Sequence, residues 1–250
     1  MVQELHRHDF FFILVIERGR GDHIIDFTPY KISNNSIFIL RPGQVHKLTL
    51  KARSTGYLIQ FSTDFYSSGE KELSQLLRRV SNRNFYLLDI NKIKKLSPVL
   101  NYIFKEFSDK EEGHQQIIKA NLAIFFTELL RQTQQGSART ATSYVHERLE
   151  ELLELLETNI SLYKQVAQYA DMLNLSSYQL NAVTKTTLDK TCSEVINEHI
   201  ILEAKRYLLA TSSQVNQIAD LLGYEDASYF IRFFKKHTGY SPEAFRHNFK

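Results

Sequence analysis

The feature that most constrains the fold of this 250-residue chain is a seven-residue pattern near its carboxyl end that occurs twice. Tyr169–Leu175 and Ile218–Tyr224 each contain an Ala-Asp pair followed by two large apolar residues. The next residue is Asn174 in the first copy and Gly223 in the second, and both residue types tolerate a positive φ angle. Two different residues with the same backbone freedom at one place of a repeat predict a tight turn that is built twice.

Signals for the start of a further helix follow each turn. Ser176 stands three residues before Gln179, which is the spacing of a capping box. Asp226 can cap a helix that begins at Ala227, and Gly239 is placed to end that helix. Each copy therefore predicts a helix-turn-helix unit, in which a short helix and a tight turn lead into a second helix.

The segment between the two copies predicts a long connecting helix, because apolar residues recur at four-residue spacing: Ile196, Ile200, Ala204 and Leu208. Ala170 and Ala219 provide the small residue that close packing of two helices requires. Pro242 follows a serine at the start of a last predicted helix. An ordinary helical bundle with the same surface residues is the alternative to two helix-turn-helix units.

The second helix of each unit carries polar residues that suit DNA. In the second unit we expect an apolar face of Tyr229, Phe230, Phe233 and Phe234. The residues left for DNA there are Ser228, Arg232, Lys235 and Lys236. The first unit offers Ser177, Tyr178, Asn181 and Lys185. Arginine suits guanine edges or phosphates, lysine suits phosphates, and asparagine can pair with adenine.

The overall charge does not by itself indicate a nucleic-acid partner. The formal net charge is +3, yet residues 145–250 contain 11 Lys and Arg against 14 Asp and Glu. Five of those carboxylates lie on one predicted helix, which can face away from a duplex: Glu147, Glu150, Glu151, Glu154 and Glu157. The DNA hypothesis therefore depends on the local pattern of the two recognition helices.

Residues 5–62 alternate short apolar runs with turn signals, as the strands of a β-sandwich or barrel do. If residues 6–16 form one extended strand, every second side chain lies on the same face: His6, His8, Phe10, Phe12, Leu14 and Ile16. Further apolar runs lie at 24–27, 36–40 and 57–61. After Ser62 the pattern becomes helical, over 91–107 and 115–134.

A polar stretch, Gln132–Ser143, has no apolar period and predicts the link between two domains. We expect a barrel with its following helices at 1–134, a linker at 135–144 and an all-α domain at 145–250. The single cysteine, Cys192, and the absence of a long apolar run from the sequence predict a cytoplasmic protein. The sequence contains no nucleophile–base pair, glycine-rich phosphate loop or cysteine cluster, so we do not expect an enzyme.

The carboxyl-terminal half contains a long and specific pattern at 203–209 (EAKRYLL), 218–219 and 223–242 (GYEDASYFIRFFKKHTGYSP). This pattern closely resembles the signature of the AraC/XylS family of bacterial transcription regulators. The resemblance covers about residues 145–250, with a looser match of the amino-terminal half to the family's cupin-type sensor. It implies two helix-turn-helix subdomains joined by a rigid helix, with recognition helices in successive major grooves roughly 34 Å apart.

The first helix-turn-helix unit departs from the family pattern. Ala182 stands where an arginine is common, Thr184 where an aromatic residue is common, and Asp189 where the loop glycine would fall. Because aspartate adopts positive φ only at some cost, we expect this loop to be shaped differently. We also expect the first unit to contribute less base reading than the second.

Two short motifs, His6-Arg7-His8 and Pro42-Gly43-Gln44-Val45-His46, resemble those of cupin barrels. In metal-binding cupins two histidines and a glutamate come from the first motif and a third histidine from the second. Phe12 stands where that glutamate would fall and Leu50 where a nearby asparagine would fall. We therefore expect no metal or other cofactor, although three histidines alone can hold Zn²⁺.

The expected fold class is thus α+β with two domains, a cupin-like β-barrel with following helices and an all-α double helix-turn-helix. In the barrel we expect a small ligand with an apolar part and a few polar groups. The residues expected to contact it are His6, His8, Phe10, Phe12, His46 and Gln60. A filled barrel that serves only as a dimerisation scaffold is the alternative.

The leading hypothesis is a sequence-specific transcription regulator that binds a double-stranded DNA operator under the control of a small-molecule effector. Activation is the commoner output of the family, with RNA polymerase as the partner, and a homodimer is expected. The helix at 115–134 is expected to supply the dimer contact, unless its apolar stripe packs on its own barrel. A ligand-independent regulator and a metal-dependent cupin enzyme with a helical appendage are the alternative functions.

Overall fold

A computed structural model describes residues 2–67, 71–133 and 142–249 and divides the chain into two compact units, Met1–Ser137 and Ala138–Lys250. Within the described residues, the first unit contains two antiparallel sheets followed by helices, and the second unit is helical. This is the expected α+β class with two domains. Residues 135–141 of the predicted linker lie outside the described residues and residues 142–144 begin a helix, so the linker and the domain boundaries stay predictions.

The two sheets of the first unit have four strands each. One sheet has the order β1 (Val2–Arg7), β6 (Val45–Leu50), β3 (Gly21–Ile25), β4 (Thr28–Ile32). The other has the order β7 (Thr55–Phe61), β2 (Phe11–Arg18), β5 (Ser36–Leu40), β8 (Phe85–Leu87). The extended run that the sequence predicted over residues 6–16 is therefore two strands, because the chain passes from one sheet to the other between Arg7 and Phe11.

Both faces of β2 are buried, and its alternating side chains enter two different cores. Phe11, Ile13 and Val15 pack in a cluster with the helices of this unit. The side chains of the other face join apolar residues from both sheets, and this cluster fills the space between them: Phe12, Leu14, Ile16, Ile25, Ile32, Phe38, Leu40 and Leu48. The middle of the barrel is thus a packed core.

The segment after β3 is a turn, although the sequence predicted a strand over 24–27. Asp26 and Phe27 have positive φ angles of 44° and 68°, and Ile25 pairs with Thr28 across a two-residue hairpin loop. The prediction was wrong because such loops usually show themselves by a glycine, which this one lacks. The Asp26 carboxylate accepts hydrogen bonds from the Gln44 side chain at 2.6 Å and from the Val45 backbone N–H at 3.2 Å.

Among its described residues the first unit also contains four helices: α1 (Thr63–Ser67), α2 (Lys71–Ser81), α3 (Ile90–Asp109) and α4 (His114–Thr133). The apolar stripe of α4 is buried in the core between the helices and the second sheet: Ile118, Leu122, Phe125, Phe126 and Leu129. This stripe therefore packs on its own barrel, which was the alternative to the expected dimer contact. A dimer contact by α4 would have to use its exposed face, where Ile124 is 50% exposed.

The described part of the second unit contains α5 (Thr142–Asn159), α6 (Val166–Met172), α7 (Ser177–Leu188), α8 (Cys192–Ala210), α9 (Val215–Leu221), α10 (Ala227–Thr238) and α11 (Pro242–Phe249). The long connecting helix predicted between the repeats is α8, which packs against the other six helices named here. Its expected apolar residues are all buried: Ile196, Ile200, Ala204 and Leu208. None of the helices among the described residues has the length and apolarity that crossing a bilayer would require.

The two predicted turns have the same hydrogen bonds. The N–H of Leu175 donates to the carbonyl of Ala170, and the N–H of Tyr224 donates to the carbonyl of Ala219, both at 2.9 Å. Asn174 and Gly223 have φ angles of 53° and 71°, as the repeat predicted. The residues that differ between the copies thus adopt one backbone conformation.

The second turn also touches the loop that leads into the first helix-turn-helix unit. A Cβ atom on Gly223 would lie 1.7 Å from the carbonyl oxygen of Ser161. Lys164 Nζ donates to the carbonyls of Gly223 at 3.0 Å and Ser161 at 3.3 Å, and it lies 4.9 Å from the centre of the Tyr224 ring. This contact joins the two helix-turn-helix units directly, in addition to their packing on α8.

Gly223→Ala should lower the free energy of unfolding of the second unit by about 3 kcal/mol or more, because the new methyl group meets the Ser161 carbonyl in a strained backbone conformation. Gly239→Ala is the matched control: Gly239 has a φ of 80°, but its Cβ would meet no atom within 4 Å. Its cost should be about 1 kcal/mol. Urea unfolding monitored by far-ultraviolet circular dichroism measures the loss of unfolding free energy in each variant. Equal losses in the two variants would contradict the close contact at Gly223.

Candidate functional site

The helix after the second turn, α10, has defined ends. The Asp226 carboxylate accepts a hydrogen bond from the Ser228 backbone N–H at 2.7 Å, and this bond holds the pKa of Asp226 below its usual value. At the other end the N–H of Gly239 donates to the carbonyl of Lys235 at 2.9 Å. The predicted cap residues at both ends are thus confirmed.

All four residues that were expected to contact DNA on α10 are exposed: Ser228, Arg232, Lys235 and Lys236. The inner face of the helix is formed by Phe230 and Phe234, which are fully buried, and Phe233 is half-buried. Tyr229 was expected on that buried face but is 57% exposed. The expectation was wrong because residues four apart define the inner stripe, and Tyr229 lies about 100° around the helix from Phe230.

Arg232 is not held firmly by the protein. Its guanidinium lies 3.9 Å from the Asp226 carboxylate, and both side chains are more than half exposed. Exposed ion pairs of this kind contribute little, so the guanidinium can exchange this partner for another at small cost. The helix therefore offers one arginine, two lysines and a serine hydroxyl on its exposed side.

The corresponding helix of the first unit, α7, begins with the predicted capping box, in which Gln179 N–H donates to Ser176 Oγ at 3.2 Å. It ends at Asp189, which has a φ of 55° and donates its N–H to the carbonyl of Lys185 at 3.1 Å. At the end of α10, in the second helix-turn-helix unit, Gly239 also has a positive φ and donates its N–H to the carbonyl four residues before it. The expectation that this loop is shaped differently is wrong, because Asp189 adopts the left-handed conformation that glycine adopts at the other end.

Asn181 makes hydrogen bonds inside the protein that the sequence did not suggest. Its amide nitrogen donates to the carbonyl of Ser177 at 2.9 Å, and its amide oxygen accepts from the backbone N–H of Cys192 at 2.9 Å. Cys192 is the first residue of α8. Both ends of the Asn181 amide thus have partners inside the protein, and the side chain ties α7 to the start of the connecting helix.

Equivalent positions of α7 and α10 differ in charge. Counted from the caps Ser176 and Asp226, Ala182 stands where α10 has Arg232, and Thr186 stands where it has Lys236. Lys185 is exposed, but its Nζ donates to the carbonyl of Asp189 at 3.1 Å. The remaining candidates, Ser177 and Tyr178, are exposed and uncharged, with Tyr178 83% exposed. The first recognition helix therefore has the weaker positive field.

At one end of the barrel, the histidines of the two cupin-like motifs lie together. His6 and His46 face each other in the pairing of β1 and β6. His8 Nε2 lies 2.9 Å from His46 Nε2 and 3.1 Å from His6 Nε2. His46 is fully buried, while His6 and His8 are half-buried. We call His6, His8 and His46 the histidine triad.

A fourth histidine, His23, was missed by the sequence analysis. It is fully buried on β3, and its Nε2 lies 2.9 Å from His46 Nδ1. The available signal was its alternation with Gly21 and Ile25, but the turn after β3 concealed the strand. Burial lowers the pKa of His23 and of His46 to about 3, with the neighbouring histidines adding to the effect, so both rings are neutral at pH 7.

The other residues expected to contact a ligand divide between two places. Phe10 stacks on the His8 ring with 4.4 Å between ring centres, and Phe12 lies beneath the triad with only 1% of its surface exposed. Gln60 pairs with Phe12 in the sheet but is exposed on the edge strand β7. It also lines a separate cleft between β7, α3 and α4, with a volume of about 420 Å³ and mostly apolar walls that include Phe65, Ile103, Phe104, Phe107 and Ile118.

Comparison with known families identifies both units. Residues 169–248 match the family described as a helix-turn-helix domain, and residues 2–94 match the AraC-like ligand binding domain. The chain belongs to the AraC family. It is therefore a DNA-binding transcription regulator with a ligand-binding domain in front of two helix-turn-helix units.

Curated relatives of this AraC-family chain extend over nearly its full length. It is 24% identical over 247 residues to the HTH-type transcriptional activator RhaS of Escherichia fergusonii, covering 96% of this chain and 86% of the relative. It is 26% identical over 252 residues to RhaS of Yersinia pseudotuberculosis, covering 96% and 88%. These relatives are transcription regulators.

Among solved structures, ToxT of Vibrio cholerae is 17% identical and covers 97% of this chain and 91% of its own, with a TM-score of 0.49. The C-terminal domain of the response regulator YesN from Fusobacterium nucleatum is 26% identical. It covers 40% of this chain and 98% of its own, with a TM-score of 0.37.

Asn181→Ala in this AraC-family regulator should cost about 1–3 kcal/mol of stability, because the Cys192 N–H loses its partner at a helix start. It should weaken binding to all DNA sequences by the same factor, since the side chain positions α7 and reads no base. The free energy of unfolding and the affinities for a selected site and for unrelated duplex DNA measure this. Thr186→Ala, at an exposed position of the same helix, is the control for stability. Unchanged stability with a loss confined to one base pair would show that Asn181 reads that base.

Proposed function

We propose that this regulator is a sequence-specific transcription activator that binds a double-stranded operator through α7 and α10 and responds to a small molecule in its first unit. The observation that carries the proposal is the repeated turn, with Asn174 and Gly223 in one conformation, each followed by a capped helix with exposed polar residues. The activators among the curated relatives support activation as the output. RNA polymerase is then the protein partner, and the cytoplasm is the compartment where both partners occur.

The two recognition helices have different tasks in this proposal. Arg232 reads a base edge, Lys235 and Lys236 contact phosphates, and the Ser228 hydroxyl contacts a phosphate near the start of α10. On α7 the contacts fall to Ser177, Tyr178 and Lys185, which suit phosphates. Sequence preference thus comes mainly from the second helix-turn-helix unit, and the first adds affinity and register.

The effector site is proposed at the histidine end of the barrel. His6, His8, Phe10, Phe12 and His46 lie together there, with Gln60 beside them on the edge strand. Apolar side chains fill the middle of the barrel, which leaves little room for an effector there. The effector therefore binds at the histidine end. The same filled core is the observation that favours the alternative, a ligand-independent regulator whose barrel is a scaffold.

A homodimer is part of the proposal, because a paired operator and a paired protein match each other's symmetry. The face of α4 that points away from its own core carries exposed Gln116, Ala120 and Ile124 at four-residue spacing. This spacing makes one continuous stripe along a helix. We place the dimer contact on that stripe.

Arg232→Ala should weaken binding to a site selected from random duplex DNA by about 1–3 kcal/mol and relax the preference at one base pair. Lys235→Ala and Lys236→Ala should weaken binding to every sequence alike, and each should reduce the slope of log affinity against log salt by about one. Titrations at several salt concentrations, on selected and unrelated duplexes, separate the two behaviours.

Lys31→Ala, at an exposed lysine on β4 of the first unit, is the control for a general loss of positive charge. It should leave both affinities unchanged. An equal loss on all sequences for Arg232→Ala would move Arg232 to the phosphate class. Full affinity in all three α10 variants would exclude α10 as a recognition helix.

Ile124→Arg should convert the dimer to a monomer, since it replaces the large apolar residue of the proposed stripe on α4 with a charge. Sedimentation of the full chain at micromolar concentration measures the change. Tyr102→Arg, at a 44% exposed position of α3, is the matched control and should remain dimeric. A wild-type monomer, or a dimer that Ile124→Arg leaves intact, would contradict this contact.

A further inference from the structure

The ligand nitrogens of the histidine triad converge on one point. The candidate ligand atoms of His6, His8 and His46 all lie within 4.8 Å of one another, and two of the contacts, between Nε2 atoms, are 2.9 and 3.1 Å. A tetrahedral Zn²⁺ ion with bonds to nitrogen of about 2.0–2.1 Å holds its ligand atoms about 3.3 Å apart. The two short contacts are thus within about 0.4 Å of the spacing in a zinc tetrahedron, and the third pair of atoms lies within 4.8 Å.

The protons of these rings leave lone pairs facing that point. A neutral imidazole carries one N–H, and the other ring nitrogen is an acceptor. His6 Nδ1 lies 2.6 Å from the carbonyl oxygen of Glu4, which can only accept, so the proton of a neutral His6 is on Nδ1 and its Nε2 is bare. His46 Nδ1 faces His23 Nε2, and when His46 donates there its Nε2 is bare as well.

Neutral rings cannot satisfy both short contacts of His8 with separate protons. If His8 Nε2 carries the proton, it points at either His6 or His46, and the other contact brings two nitrogens together without a hydrogen between them. If His46 Nε2 donates to His8, the contact between His8 and His6 lacks a proton instead. A cation between the three rings would accept a lone pair from each of them. This arrangement needs no proton in either contact of His8.

The surroundings of the triad resemble those of metal ligands in another respect. Histidines that bind a metal donate their second N–H to a carbonyl, a carboxylate or another acceptor, which fixes the ring. The Glu4 carbonyl serves His6 in this way, and His23 serves His46. The proton of His23 then lies on Nδ1, which is buried and has no hydrogen-bond partner within the described part of the chain.

We propose that His6, His8 and His46 bind a divalent transition metal, with Zn²⁺ as the best match, and that His23 is a positioning residue for His46. Three imidazoles without a carboxylate suit zinc, copper, nickel or iron and do not suit Mg²⁺ or Ca²⁺. Because His6 and His8 are half-buried, a fourth position is open to water or to a polar group of a ligand.

This site changes the meaning of Phe12. The phenylalanine in place of a glutamate led to the expectation that no metal binds, but the three nitrogens converge without a carboxylate. In a regulator of the proposed function, the metal ion would join β1 to β6 at the end of the barrel and offer its open position to a polar group of the effector. That part rests on the proposed function, whereas binding of the metal does not.

Titration of the full-length chain, stripped of metal by a chelator, with Zn²⁺ alone tests the proposal. We expect one equivalent to bind, and Co²⁺ in its place to give the visible absorption of a four-coordinate ion. His6→Gln and His8→Gln should each weaken Zn²⁺ binding by well over tenfold. His23→Gln should weaken it by about 10–100-fold and keep the stoichiometry of one, as the loss of a positioning partner does.

His114→Gln, on α4 in the separate apolar cleft, is the matched control and should bind Zn²⁺ as the wild type does. Circular dichroism confirms that each variant is folded, and the half-buried His6 and His8 are used because the fully buried His46 is the riskier position to change. Absence of a stoichiometric zinc site, or wild-type affinity in both the His6 and His8 variants, would overturn the proposal. Wild-type affinity in His23→Gln would overturn the role of His23 alone. No DNA is present, so a failure to bind DNA would leave these results unaffected.

Discussion

The DNA-binding unit depends on one close contact, the approach of the Gly223 turn to the Ser161 carbonyl beneath the Lys164 side chain. The two helix-turn-helix units could otherwise be held together by α8 alone, and a single helix controls the rotation of its two ends poorly. At Gly223 the loop that enters the first unit touches the turn of the second at a distance that allows no side chain. Partial burial at this junction lowers the pKa of Lys164. Two recognition helices on such a frame can read one duplex as a pair.

The helix ends and turns of the second unit, Ala138–Lys250, could be predicted from the sequence because each signal acts over only a few residues. These signals act through their own backbone or the next turn of helix. Examples are the helix cap Ser176, the turn residue Asn174 and the helix-ending residue Gly239. A side chain that has a choice of partners was harder to predict. Asn181 was a reasonable base reader by residue type, but Cys192 N–H, eleven residues away, takes its oxygen.

The first unit was less predictable because its structure is decided by partners distant in sequence. The run from His6 to Ile16 alternates as one strand, yet it bends from one sheet to the other near His8. That bend is what points His8 at His46, and no local pattern encodes it. The role of His23 also depends on a distant partner, His46, which lies 23 residues further along the chain.

Phe12 contributes both to the filled core of the barrel and to the support of the histidine triad. A carboxylate at this position would lie where only 1% of the residue is exposed, among Leu14, Phe38 and Leu40, and its charge would be costly there. A phenylalanine removes that cost, completes the core and supports the His8 ring from below. The barrel thereby gains rigidity under the triad while the three nitrogens keep their convergence. A change in occupancy at this end would therefore act on a stiff body, and stiff bodies transmit small displacements over their whole length.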